Sequence, residues 1–256
     1  MKSFEDETIE ITDVQKAQFV QEGFFVIESA IPKKHLTMLR NECDRYVRET
    51  DQEMAKKEIS ARGITHKGSR YFISNRHREN NKLCSYIFSS LMASICRKTL
   101  GKTAYLFHEQ FVVKGPEIGM KFGWHQDSGY IGFDHRPYMR CWAALDNVNE
   151  ENGTVYILPF SAAGTRSREE HQIIDDSNDK IGYFGEEKGI PVICPAGSIL
   201  VFSSVSFHRS SPNRSAGWRR VFLSQYSAEP ILTEDGKEYW SNAEKFLVDG
   251  KNITNY

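Results

Sequence analysis

The chain has 256 residues, 39% hydrophobic and 26% charged, with a formal net charge of −1. That composition suits one large globular domain and lacks the basic blocks that nucleic acid demands. No apolar run approaches the roughly 20 residues of a membrane helix, and five scattered cysteines without C-x-x-C spacing suit reduced thiols, so a cytoplasmic protein with a small-molecule partner and no membrane contact is expected.

The acidic opening "MKSFEDETIE" has no apolar segment of the kind a secretory leader carries. "ITDVQKAQFVQEG" predicts a capped helix: Thr12 or Asp13 can accept from free amides, Val14, Ala17, Phe19 and Val20 recur at helical spacing, and Gly23 stops it. "FFVI" predicts a short strand. A second helix follows, with Pro32 in its first turn, where the missing N–H costs nothing, and an apolar stripe through Leu36, Leu39, Cys43 and Val47. Residues 51–80 predict polar, irregular chain. "NKLCSYIFSSLMASICRKTLG" predicts a third helix, with Leu83, Ile87, Leu91 and Ile95 at spacing four and Gly101 as its stop.

Beyond Thr103 the texture changes to short β-branched and aromatic runs separated by Gly, Pro, Asn and Asp, the pattern of antiparallel strands in a sandwich or barrel. "EENGT" between two of these runs signals a tight turn, because Asn-Gly readily adopts the positive φ of hairpins. No repeat or linker divides the chain. An α+β, mainly β fold is therefore expected as a single domain over 1–256: helices over about 12–101, a jelly-roll core over about 103–226 and a C-terminal extension, 227–256.

"GWHQDSGY" ends one predicted strand. Strand alternation places Gly123 and His125 on one face, and Asp127 continues that phase into the loop. Two donors do not hold a metal firmly, and "FSSVSFHRSSPNRS" offers His208 as a third from a distant strand. Two imidazoles and one carboxylate bind iron(II) on one face and leave the opposite positions open.

With those residues in view, the sequence resembles the phytanoyl-CoA dioxygenase-like branch of the iron(II)- and 2-oxoglutarate-dependent oxygenases, from about Thr12 to Tyr226. The likeness is carried by "GFFVI", "WHQD", "CWAALDNVNEENGTVYILP", "PAGSILVFSS" and "HRSSPNRSAGWRRVFLSQYS". It implies a cupin-like double-stranded β-helix with the N-terminal helices packed on one sheet, and His125, Asp127 and His208 as catalytic iron ligands. It also implies Arg219, eleven positions after His208, as the anchor of the far 2-oxoglutarate carboxylate, with Gln110 and Trp142 lining that cosubstrate. Arg suits the task because its planar fork donates two parallel bonds to a carboxylate. Alternation alone leaves Arg220 as a competitor. Dioxygen is the further cosubstrate implied, with ascorbate as an optional reductant. The expected reaction is hydroxylation of a small molecule, with desaturation or cyclisation by the same oxidant as an alternative. Chlorination is disfavoured because Asp127 is present, whereas halogenating relatives lack that carboxylate.

For the substrate, the segment "GSRYFISNRHREN" offers Arg70, Tyr71 and Arg76, and the loop after the histidine pair offers Tyr130, Phe133 and Arg136. Alternation places His108 on the face of Gln110. These residues point to a polar or anionic substrate. "PFSAAG" departs from the family's usual corner at Ala162 and Ala163, which weakens any transfer of an acyl-CoA substrate. Two rival readings remain, a non-enzymatic metal-binding jelly-roll sensor and a zinc hydrolase; the sensor has no use for Arg219, and the hydrolase would need a general base that no H-E-x-x-H supplies.

Overall fold

The computed structural model describes residues 9–116, 121–173 and 179–256, so most of the acidic opening lies outside the described residues. Helix α1 (Asp13–Glu22) begins and ends where the sequence signals: Thr12 accepts from the Gln15 amide, the Gln15 side chain caps in return, and Gly23 closes the helix at φ +83°. Its apolar positions form no buried stripe. Val14 and Val20 are exposed and Phe19 packs only partly on the core, because α1 lies along the edge strand β1 (Phe24–Ile27) rather than across a sheet face.

Helix α2 (Lys33–Lys56) has Pro32 as its N-cap and buries Leu39, Cys43, Tyr46 and Met54. It continues past Thr50, and the rest of 51–80 is not irregular either. That stretch holds β2 (Ala61–Arg62), β3 (Thr65–His66), β4 (Arg70–Ser74) and a 3-10 turn over Arg76–Glu79. The strand escaped the sequence reading because its two faces differ: Tyr71 and Ile73 enter the helix-side core, while Arg70 and Ser74 occupy a polar inner face. The third predicted helix divides into α3 (Asn81–Ile87) and α4 (Ser90–Thr99), Ser89 capping the latter by accepting from the Met92 amide. Leu83, Ile87, Leu91 and Ile95 are all buried. The Gly101 N–H, at φ +101°, donates to Cys96 O at 3.1 Å.

The remaining elements are β5 (Ala104–Lys114), β6 (Phe122–His125), α5 (Ser128–Ile131), β7 (Met139–Ala144), β8 (Val155–Ile157), α6 (Phe160–Ala163), β9 (Gln172–Ile173) and β10 (Lys180–Ile181). They continue with β11 (Ile190–Pro191), β12 (Ile199–Ser203), β13 (His208–Ser210), β14 (Arg219–Ser227), β15 (Glu244–Val248) and β16 (Lys251–Asn252). The large sheet runs β1-β12-β7-β14-β5-β4-β3-β2, and the facing sheet runs β11-β8-β13-β6. All pairings are antiparallel, and the two sheets form a double-stranded β-helix. Helices cover the outer face of the large sheet, where Cys43, Leu83 and Met92 join Phe111, Cys141 and Phe222 in one core. A second core between the sheets gathers Val112, Trp142, Leu200, Leu223 and Ile157. "EENGT" does turn, with Gly153 at φ +81°, but β7 and β8 lie in different sheets, so it is a corner between sheets and not a hairpin. The C-terminal residues are no appendage: β15 pairs with β5 at the end away from Lys114.

That junction is tied by a buried histidine. His77 faces Glu109 Oε1 through Nδ1 at 3.2 Å and Glu244 Oε1 through Nε2 at 2.8 Å. Burial opposes its protonation, yet hydrogen bonds to both carboxylates outweigh that and raise its pKa to about 9. A histidine whose pKa is raised on folding stabilises fully below its unfolded value, about 6.5, and loses that contribution as pH rises through the folded value. Stability should therefore fall between pH 6.5 and 9 by on the order of 2 kcal/mol, discounted for the half-exposed Glu244. Thermal melts across that window should show the loss in wild type and a flatter profile in His77→Gln; equal slopes would reject the assignment.

Candidate metal centre

Strands β6 and β13 are antiparallel neighbours with His208 directly opposite His125. Cross-strand pairing thus brings together two imidazoles that are remote in sequence, with ring centroids 4.2 Å apart. Asp127 arrives differently from the expected strand phase. It lies just beyond β6 in helical conformation, at the start of α5, and that turn brings Oδ1 to 3.6 Å from His208 Nε2 and 4.0 Å from His125 Nε2. The Nδ1 atom of His125 lies 2.8 Å from Gly123 O, and that of His208 lies 3.1 Å from Ser206 O. A carbonyl only accepts, so each Nδ1 carries the proton and each Nε2 turns its lone pair toward Asp127. Burial holds both rings below the usual histidine pKa, strengthened at His208 by the neighbouring His125 and Arg140, so both are neutral donors. The donor atoms all lie within 4.8 Å of one another and could hold a metal ion. Two neutral nitrogens and one carboxylate fit a divalent first-row metal.

The three residues line one end of a cavity of about 380 Å³ between the sheets. Strand register divides its large-sheet wall into rows. Arg140, which lies against Asp127 and His208, has Gln225 and then His108 as its cross-strand neighbours. Next come Trp142, Leu223, Gln110 and Ser74, then Ala144, Val221, Val112 and Phe72. The deepest row is cationic: Arg219, Lys114 and Arg70. Arg219 is 1% exposed, with Nε and Nη1 lacking any hydrogen-bond partner among the described residues, and burial lowers its pKa to about 10. Lys114 donates to Ser210 Oγ at 2.8 Å, and burial, with Arg219 and Arg70 nearby, pushes its pKa well down. Arg220 points to the opposite face, where it bonds Asp146 and Asp44. Such a row suits an anion, because buried guanidinium donors are costly when unpaired.

The family model for phytanoyl-CoA dioxygenase matches residues 19–221. The chain belongs to the phytanoyl-CoA dioxygenase family. The human peroxisomal phytanoyl-CoA dioxygenase is 20% identical over 234 residues, covering 85% of this chain and 69% of that protein. A probable α-ketoglutarate-dependent hypophosphite dioxygenase of Stutzerimonas stutzeri is 21% identical over 264 residues, covering 93% of this chain and 86% of that one. EvdO2 from Micromonospora carbonacea var. aurantiaca, solved with 2-oxoglutarate, shares the fold at TM-score 0.69 and 18% identity, covering 90% of this chain and 96% of that one. As a family member the chain is an oxidoreductase, an iron- and 2-oxoglutarate-dependent dioxygenase. Among the described residues no helix is long and apolar enough to cross a membrane.

Within this family fold, Gln110, Trp142, Arg219, His108 and Tyr130 all line the cavity, Tyr130 with its ring edge-on to His125. Arg70 adjoins it, its guanidinium over Phe122 at 4.8 Å. Tyr71 and Arg76 do not line it. Tyr71 is on the opposite face of β4, donating to Asp51 at 2.6 Å, and Arg76 pairs with Glu79 at 2.8 Å over the Tyr46 ring. Of the loop residues, Phe133 and Arg136 line a separate surface hollow. Sequence reasoning missed Arg140, Gln225, Trp240 and Ser241 on the cavity wall. Alternation from Trp142 would have found Arg140. Nothing local marks Trp240 and Ser241, which a loop preceding β15 carries back to the site.

Proposed function

We propose that the metal-ligating set holds iron(II), that Arg219 anchors 2-oxoglutarate, and that the enzyme hydroxylates a small polar or anionic metabolite. The observation that carries this is the pairing of a three-donor set with a buried Arg219, whose Nε and Nη1 have no hydrogen-bond partner among the described residues, in one cavity. His125 and His208 would donate Nε2 and Asp127 would donate Oδ1. Iron with 2-oxoglutarate and dioxygen supplies the oxidant for a C–H bond, with succinate and carbon dioxide as the other products. Arg219 orients the cosubstrate by its far carboxylate, Lys114 is a further N–H donor in the same row, and the Gln110 amide can donate to the same molecule. Trp142, Leu223 and Val112 form the apolar wall that keeps water from the reacting end.

Both sheets, the short α5 and the loop before β15 line this one cavity, and the longer helices pack on the outer face of its large sheet, which supports a single functional domain over 1–256. Its size is near the low end of small-molecule sites, roughly 300–1,000 Å³, and it must take cosubstrate as well. A compact substrate follows. We place the enzyme in the cytoplasm, a reading supported by five buried, unbridged cysteines. The test is succinate formation by anaerobically prepared protein given iron(II), 2-oxoglutarate and air, against a panel of small acids and alcohols. Slow uncoupled release, accelerated by a true substrate and stopped by a chelator, is expected. Release that persists undiminished with chelator would reject the function.

A further inference from the structure

Arg140 lies three rows from Arg219, with its guanidinium against the metal-ligating set. It is 9% exposed on β7, and Nε lies 2.8 Å from Asp127 Oδ2, close enough for an ion pair but not aligned as a hydrogen bond. Its Nη1 lies 3.4 Å from His208 Nε2, a contact that a metal on that nitrogen would remove. The guanidinium is thus held beside the centre with donors that Asp127 does not satisfy. Its cross-strand neighbour Gln225 and then His108 extend the same polar row along the cavity wall, and Ser241 Oγ lies 3.4 Å from His108 Nδ1. His108 is kept neutral, first by burial and then by Arg140, its pKa lowered to about 4. Arg140 is therefore the cation of this row. The cavity's other cations lie elsewhere: Arg219 is three rows deeper, and Arg209 stacks on Tyr156 at 3.8 Å. The second carboxylate on the lining, Asp179, interacts with Arg70 and Tyr130.

Resting on the function proposed above, we infer that Arg140 is the anchor for one compact oxyanion, carboxylate or phosphonate, on the substrate. Gln225 and His108 complete the polar wall around that group. Anchoring at this row holds the substrate's reacting carbon next to the metal-ligating set while the deep cationic row is left to the cosubstrate. A planar guanidinium suits both oxyanions, since either offers two oxygens at fork spacing. The anion would compete with Asp127 Oδ2 for the guanidinium, while Oδ1 keeps its place facing the two Nε2 atoms.

The test is calorimetric titration of methylphosphonate, and separately of propionate, into protein holding manganese(II) and 2-oxoglutarate under nitrogen. Wild type is expected to bind at least one probe, and the one it prefers tells phosphonate from carboxylate. Arg140→Gln should weaken that probe about 10- to 100-fold, Arg140→Lys should recover part of it, and Arg48→Gln, exposed on α2 away from the cavity, should keep the wild-type affinity. Manganese affinity, measured in parallel, should survive in Arg140→Gln. Equal probe affinity in Arg140→Gln, or no binding of either probe to wild type, overturns the inference. So does a matching loss of manganese, which would make Arg140 a prop for Asp127 alone. Wild-type protein that binds neither manganese nor 2-oxoglutarate overturns the parent function itself, a separate and earlier reading in the same titration.

Discussion

Asp127→Ala is expected to abolish 2-oxoglutarate turnover and to weaken manganese(II) or iron(II) binding by at least about 100-fold, since even outer partners of a ligand are worth 10- to 100-fold. His208→Ala should behave alike. Both residues contribute an atom to the only group of three or more metal-ligating side chains found among the described residues. Asp127→Ala also leaves Arg140 facing two neutral rings, so the cation itself then opposes an incoming metal. Calorimetry under nitrogen measures the affinity and circular dichroism checks that the fold persists. Wild-type metal affinity in a folded Asp127→Ala protein would show that the centre is elsewhere.

Arg219 gives the second large effect, and it separates binding from stability. Arg219→Gln should weaken 2-oxoglutarate roughly 10- to 100-fold, the worth of a charge-assisted pair, and Arg219→Lys should recover little, because an ammonium cannot bond both carboxylate oxygens in parallel. Stability should move the other way. The guanidinium is buried with two nitrogens unpartnered, and burial already draws its pKa down to about 10. Replacing it with Met should therefore raise the melting temperature of the cosubstrate-free protein, a trade of function for stability. A fluorimetric melt and a 2-oxoglutarate titration on the same variants decide the matter; unchanged affinity in Arg219→Gln would remove it from the site.

Much of this was legible locally. The Thr12 cap, the Gly23 stop and the alternation through β5, β7 and β14 are written in neighbouring residues, because capping and pleat periodicity act over a few positions. Strand β4 was hidden, since its inner face carries Arg70 and Ser74 where a core strand would be apolar. The split between α3 and α4 was hidden too, because Leu83 to Ile95 keep one spacing straight across the Ser89 cap.

By itself the sequence determined most of the element types outside 51–80, the mainly β class and the residues able to ligate a metal. Tertiary structure alone decided that Arg219 faces the cavity while Arg220 reaches Asp146, that Tyr71 turns to the helices, and that Arg140 meets Asp127. The physical reason is one of range. Periodicity says which residues share a face, but which face is inside, and which strand lies opposite, depends on pairings between segments far apart in the chain, such as His125 with His208.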